Sequence, residues 1–145
     1  MGRINKIDKI PGDDRLNVND DQLTEKIIAC AFKVHNALGA GFSEKVYENA
    51  MRIELLRQSV DVHQQVPIKV YYEGEVVGEY YADLWVSRII VELKAVQNLL
   101  KEHEMQLVNY LTATKTHTGL LINFGPSVEV RRKFREYTPK AARNR

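Results

Sequence analysis

The 145-residue chain has one cysteine, one tryptophan, four prolines and four histidines. No apolar run approaches the ~18–20 residues that a membrane-spanning helix requires, and the N-terminus shows no apolar signal segment. A lone cysteine excludes an internal disulfide framework and suits a reducing cytoplasm. Cys30 falls inside a helical pattern, where it reads as a small buried hydrophobe rather than a nucleophile. The scattered histidines and single cysteine leave no Cys/His cluster for zinc. There is also no Walker glycine loop and no Gly-x-Ser-x-Gly elbow. These absences exclude zinc-finger, P-loop and serine-hydrolase chemistry.

What remains is an ordinary soluble composition, 44% hydrophobic and 28% charged, of a length that fits one domain with a normal core. The net charge of +2 is unevenly spread. Residues 131–145 carry seven Lys/Arg and one acid, a net +6, whereas the other 130 residues carry 14 basic and 18 acidic side chains, a net −4. A basic tail on a mildly acidic body is compatible with a polyanionic partner.

Residues 1–20 hold Gly, Pro, Asp and Asn with no sustained period and read as a flexible leader. From Asp21 to Leu38, Leu23, Ile27, Ala31, Val34 and Leu38 recur at helical spacing, with Gly39-Ala40-Gly41 as a stop. His35 beside this stripe reads as a packed histidine. Ser43 is a fitting N-cap for a second helix, Glu44 to Gln58. Val66, Ile68, Val70 and Tyr72 alternate as a strand, with Pro67 marking its start or an edge. After a Glu73-Gly74 turn, Val76 to Val86 makes a longer strand in which Gly78 suggests a bulge or a close approach. Ile89 to Lys94 is almost continuously apolar, as for a strand buried on both faces. A helix from Leu100 to Ala113 follows, then a buried strand from Thr118 to Phe124, and a short strand within 127–137. The chain is therefore an α/β domain, a mixed sheet flanked by helices in the order α-α-β-β-β-α-β.

The stretch that concentrates chemistry is Tyr81 to Lys94. Ser87-Arg88 is its only polar break, and as a two-residue hairpin loop it pairs Val86 with Ile89, so that paired numbers sum to 175. Asp83 then lies opposite Glu92. Glu92 and Lys94, two apart, share a face. A cross-strand acid near a lysine is commonly a surface ion pair worth about 0–1 kcal/mol. Two acids face to face among apolar strand residues are different, because like charges opposite one another destabilise a ladder unless a cation lies between them.

Four features together resemble the GxxExxY protein family, within the PD-(D/E)XK nuclease superfamily. Gly41-Phe42-Ser43-Glu44-Lys45-Val46-Tyr47 matches the signature that names the family. Asp83, Glu92 and Lys94 supply the superfamily pattern, with Ala82 where the superfamily name has Pro. Gln106 to Tyr110 looks like a Gln-x-x-x-Tyr motif, and Leu120 to Gly125 resembles the closing strand. The resemblance implies a restriction-endonuclease-like core over residues 21–130, between a flexible leader (1–20) and a basic tail (131–145).

It also implies a nuclease hydrolysing phosphodiester bonds in DNA or RNA with Mg²⁺ or Mn²⁺. Asp83 and Glu92 would hold the metal, with Glu44 reaching in from its helix. Lys94 would orient or deprotonate the attacking water, and Gln106 and Tyr110 would position phosphate or water. The competing function is a non-catalytic module using the same fold to bind nucleic acid or a protein. The intact Asp83/Glu92/Lys94 set favours the nuclease. The expected partner is nucleic acid, not a membrane; the expected location is the cytoplasm; and a homo-oligomer is compatible with the sequence.

Overall fold

The computed structural model describes residues 15–135. Its elements are α1 (Arg15–Leu38), α2 (Glu44–Arg57), β1 (Val62–Tyr72), β2 (Glu75–Val86), β3 (Ile89–Lys94), α3 (Lys101–Thr114), β4 (Thr118–Phe124) and β5 (Val128–Phe134). The five strands form one mixed sheet in the order β1-β2-β3-β4-β5. All neighbours are antiparallel except β3 and β4, which run parallel because α3 carries the chain back between them. None of the described helices is long and apolar enough to cross a membrane.

The sheet is packed on both faces. Ile27, Ala31 and Val34 of α1 and Tyr47, Met51 and Leu55 of α2 close over Leu84, Val86, Ile89, Val91, Leu93, Leu120, Ile122 and Phe124. On the other face Leu107, Tyr110 and Leu111 of α3 pack on Ile68, Ala82, Ile90 and Leu121. This explains the continuous apolar character of β3, whose residues 89–93 are all buried. Cys30 and Val34 are likewise buried, and His35 is a packed histidine whose Nε2 lies 2.8 Å from the Gly125 carbonyl oxygen.

The hairpin register is the one the Ser87-Arg88 turn requires: Val86 pairs with Ile89, Trp85 with Ile90 and Leu84 with Val91. Pro67 sits on an edge strand, where its missing N–H removes no ladder bond. A register shift occurs between Val70 and Tyr71, opposite Gly78 and Val76, so the bulge expected at Gly78 is present.

Three boundaries differ from the sequence reading. Helix α1 begins at Arg15, so residues 15–20 belong to a helix rather than to a leader; residues 1–14 lie outside the described part. β1 begins at Val62 instead of Val66. Arg131, Arg132 and Lys133 lie on β5, the short strand expected within 127–137, so the tail boundary set at residue 131 falls inside that strand; residues 136–145 lie outside the described part. These three side chains are paired: Arg131 with Glu129 (2.6 Å) and Glu104 (3.7 Å), Arg132 with Asp21 (2.6 Å), and Lys133 with Glu104.

Candidate active site

The sheet forks where the hairpin ladder ends. Below Leu84–Val91, β2 continues with β1 as a two-stranded arm, while β3 continues with β4. The next rung brings Asp83 opposite Glu92, and side chains close it. The Asp83 N–H donates to Glu92 Oε1 (2.9 Å), and the Leu93 N–H donates to Asp83 Oδ2 (2.9 Å). Each carboxylate thus satisfies a backbone donor of the opposing strand that regular pairing would otherwise use.

The fork coincides with a reversal of side-chain direction in β1 and β2. Val62, Leu84 and Val86 belong to the α1/α2 face, whereas Ile68 and Ala82 belong to the α3 face, although all have even numbers and pairing from Gln64–Leu84 to Val66–Ala82 keeps one register. Gln65, the residue between, has φ of +52°, in the left-handed region that a non-glycine side chain seldom adopts. Its side-chain amide donates to Glu48 Oε1 (2.9 Å) and to Asp83 Oδ1 (3.3 Å), so one strained residue links two acids from different elements.

From above, α2 contributes Glu44 and Glu48, one turn apart on the helix. Gly39 and Gly41 carry positive φ values of 76° and 109°, which lets the chain reverse tightly between α1 and α2. Tyr47 then pins the loop: its hydroxyl donates to the Gly39 carbonyl (2.6 Å) and accepts from the Phe42 N–H (3.2 Å), while its ring stacks on Phe124 at 4.5 Å. The Gly-x-x-Glu-x-x-Tyr spacing therefore has a mechanical reason. The glycine turns the chain, the tyrosine locks the turn, and the glutamate in the first helical turn is presented to the site. Ser43 sits at the N-cap position, but its side chain makes no capping hydrogen bond.

Glu48 is 3% exposed and accepts from Gln64 (2.6 Å), Gln65 and Lys45 (3.0 Å). From the other side of the fork, α3 presents Tyr110, and His103 stands near Glu44. The Leu100 N–H donates to His103 Nδ1 (3.0 Å), leaving Nε2 as the ring's donor. Behind β3, Asn123 holds the loop after Lys94 by a pair of 2.9 Å bonds to the Val96 backbone. Gly125 keeps that loop close, since a Cβ there would meet the Val96 oxygen at 2.4 Å.

The electrostatics follow from this crowding. Burial raises the Glu92 carboxyl from 4.5 to about 8, with the Asp83 charge adding to the effect and the Asp83 N–H and Lys94 opposing it. Burial also raises Asp83, opposed by its bond from the Leu93 N–H, with Glu48 adding repulsion. Glu44 is raised by burial, Lys94 opposing and Asp83 adding. The Tyr110 hydroxyl is pushed up to about 12 by burial and by the charges of Glu92 and Asp83. Four carboxyl groups here, Glu44, Glu48, Asp83 and Glu92, face the ammonium groups of Lys94 and Lys45, and the proton that Glu92 keeps up to about pH 8 offsets part of that acidic excess.

Of the six residues singled out from the sequence, Asp83, Glu92, Lys94, Glu44 and Tyr110 interact with one another across the fork. Gln106 lines the adjoining groove beside Tyr110. Sequence reasoning passed over Glu48, Gln65 and His103. The available signal was the Glu44/Glu48 spacing of four, which puts both acids on one helix face.

Among the described residues, no set of three or more His, Cys, Asp or Glu side chains forms a ready-made metal cage. A hard divalent cation needs less, since Mg²⁺ is commonly held by one or two carboxylates with water and substrate oxygens completing its shell. Asp83 and Glu92 fit that requirement in donor chemistry and in their mutual repulsion.

Residues 21–135 match the model of the PD-(D/E)XK nuclease superfamily. The crystal structure of SSO0001 superposes with a TM-score of 0.53 at 20% identity, over 68% of this chain and 52% of that one. This chain therefore spans about half of that protein, and the likeness is one of fold. No curated protein matches this chain. With a family model covering more than three quarters of its length, the protein belongs to the PD-(D/E)XK nuclease superfamily.

Proposed function

We propose that this protein is a metal-dependent nuclease that hydrolyses phosphodiester bonds in DNA or RNA, and that within its superfamily it is a GxxExxY protein. The observation that carries this reading is the cross-bonded pair of half-buried Asp83 and buried Glu92, with Lys94 on the strand of Glu92, at the fork of the sheet.

Asp83, Glu92 and, from α2, Glu44 are the residues that would hold Mg²⁺ or Mn²⁺. The bound ion supplies Lewis acidity, withdrawing charge from the phosphate and making hydroxide available near neutral pH. The chain's own groups do the rest. Lys94 offers an ammonium beside both acids, where it orients the attacking water and offsets charge developing on the phosphate. Tyr110, with its hydroxyl pushed up to about 12, stays protonated at working pH and serves as a hydrogen-bond donor, not a base. Gln65 and the Leu93 N–H fix both oxygens of Asp83, so the carboxylate is oriented before substrate arrives. Gln106, next to Tyr110 on α3 at the rim of the adjoining groove, would help to position the bound strand.

The test is incubation of pure protein with single- and double-stranded DNA and RNA in Mg²⁺ or Mn²⁺, repeated in chelator and with Asp83→Asn. Metal-dependent cleavage abolished by that substitution is expected. Nucleic-acid binding with no cleavage under any metal, and with affinity indifferent to Asp83→Asn, would assign the fold to a binding module instead.

A further inference from the structure

We infer that the groove between α3 and the β1–β2 arm is a nucleobase subsite, which makes single-stranded nucleic acid the substrate class. This rests on the nuclease reading and narrows it.

The groove has a volume of about 590 Å³, within the ~300–1,000 Å³ typical of small-ligand sites. One helix covers this face of a five-stranded sheet, so the arm extends beyond it and leaves the cleft open. Tyr80 and Tyr110 stand at its wall with ring centroids 5.7 Å apart, tilted by 43°. Tyr80 is 46% exposed and Met105, on the opposite side, is 58% exposed, so a flat ring can reach both. The polar groups at the rim, Gln106 and Asn109, carry amides that both donate and accept, the pairing that reads the edge of a base.

Charge distinguishes base from phosphate. Glu102 also lines the groove, and among the described residues no lysine or arginine does. A phosphate would be repelled there, whereas a neutral base would not, and a carboxylate can accept from a base's amino group. Tyr110 belongs both to this groove and to the surroundings of Asp83 and Glu92. A base seated here therefore holds its own phosphate near the acid pair. A base stacked within a duplex cannot enter, so the subsite selects unpaired strands.

Anisotropy titrations in chelator, where no cleavage occurs, test this with a short single-stranded oligonucleotide, an abasic strand of equal length and a duplex. Wild-type protein should favour the base-bearing strand over the abasic one by about tenfold or more. Tyr80→Ala should lower affinity for the base-bearing strand roughly 5- to 100-fold, the range for loss of one base stack, and Asn109→Ala should lower it about 2- to 12-fold, the range for loss of one neutral hydrogen bond; both should leave abasic binding unchanged. Tyr80→Phe should retain the preference. The salt dependence should not change, because neither residue is charged. Equal binding of abasic and ordinary strands, or equal weakening of both by Tyr80→Ala, would overturn the inference. So would a wild-type dimer in sedimentation that Tyr80→Ala dissociates, because a second copy would then occupy the groove. Base-dependent binding with no cleavage in Mn²⁺ would sink the nuclease reading and leave the groove intact. Equal cleavage of duplex and single strands with unaltered binding would do the reverse.

Discussion

Replacing Glu92 by Gln should stabilise the metal-free protein at alkaline pH while abolishing its activity. Glu92 is 5% exposed, and its carboxyl is raised from 4.5 to about 8, chiefly by burial and then by the Asp83 charge. Between those two values the folded protein keeps a proton that the unfolded chain has released. Stability therefore falls as pH rises through that window, by about 1.4 kcal/mol per pH unit, and the loss is complete above about pH 8. Asp83 is raised in the same surroundings and shares the repulsion, so a total on the order of 3–5 kcal/mol is an upper bound for Glu92. Glutamine keeps the acceptor for the Asp83 N–H and removes the charge. At about 2–4 °C per kcal/mol for a chain of this size, Glu92→Gln should raise the melting temperature by roughly 10 °C at pH 8.5 in chelator. At pH 4.5, where both side chains are neutral, the difference should vanish.

The assay is thermal unfolding of both proteins from pH 4.5 to 9 in chelator, then with excess Mg²⁺ or Mn²⁺. Added metal should raise the wild-type melting temperature at pH 8.5 and leave the variant unmoved, since binding neutralises the charge that the substitution has removed. A stability difference independent of pH, or a Glu92→Gln protein less stable than wild type at pH 8.5, would refute the account of these two carboxylates as a strained pair.

Lys94→Ala should lower cleavage by about 10²-fold or more while metal affinity persists or tightens, because an ammonium no longer opposes the cation; undiminished cleavage in a gel assay would mean the site lies elsewhere. Gln65→Gly relieves a left-handed conformation costing about 1–2 kcal/mol but deletes the amide that holds Glu48 and Asp83. Its melting temperature should stay near wild type while cleavage falls about tenfold, and a fully active Gln65→Gly would reduce Gln65 to a backbone kink. Tyr47→Phe removes the hydroxyl joining Gly39 to Phe42 and should cost about 1–2 kcal/mol in denaturant titration, with a loss of cleavage because Glu44 is no longer held in place. Deleting residues 136–145, which keeps the ion-paired strand β5, should flatten the salt dependence of nucleic-acid binding by ~0.7–0.9 for each phosphate that the tail had neutralised; an unchanged slope would deny the tail that role.

The elements most legible in the sequence were those whose burial writes itself into a pattern. The two-residue Ser87-Arg88 turn sets the hairpin register, and the unbroken apolar run of β3 announces a strand covered on both faces. What was not legible depended on partners distant in sequence. Arg131, Arg132 and Lys133 look like part of a solvated tail until Glu104 and Asp21, the latter 111 positions from Arg132, are seen beside them. Glu48 shares a helix face with Glu44, but nothing local reveals that Gln64 and Gln65 will surround it. The start of β1 was missed for the same reason: His63, Gln64 and Gln65 resemble a polar loop, and Gln65 breaks the strand alternation that would have marked them as sheet.

That break is where the fold and the site become one problem. A regular ladder here would bond the Leu93 N–H to the β2 backbone and hold two repelling carboxylates side by side on one face. Instead the strands part, each carboxylate accepts the donor the opposing strand has freed, and the gap admits Glu44 from one layer and Tyr110 from the other. The acids thus help open the sheet that exposes them, so replacing both with apolar residues should let the hairpin zip further and close the fork. The reversed alternation at Gln65 has the same origin, because an arm leaving the sheet must rotate its side chains from one face to the other. A site made this way needs no loop insertion, only a rung where side chains take over from backbone.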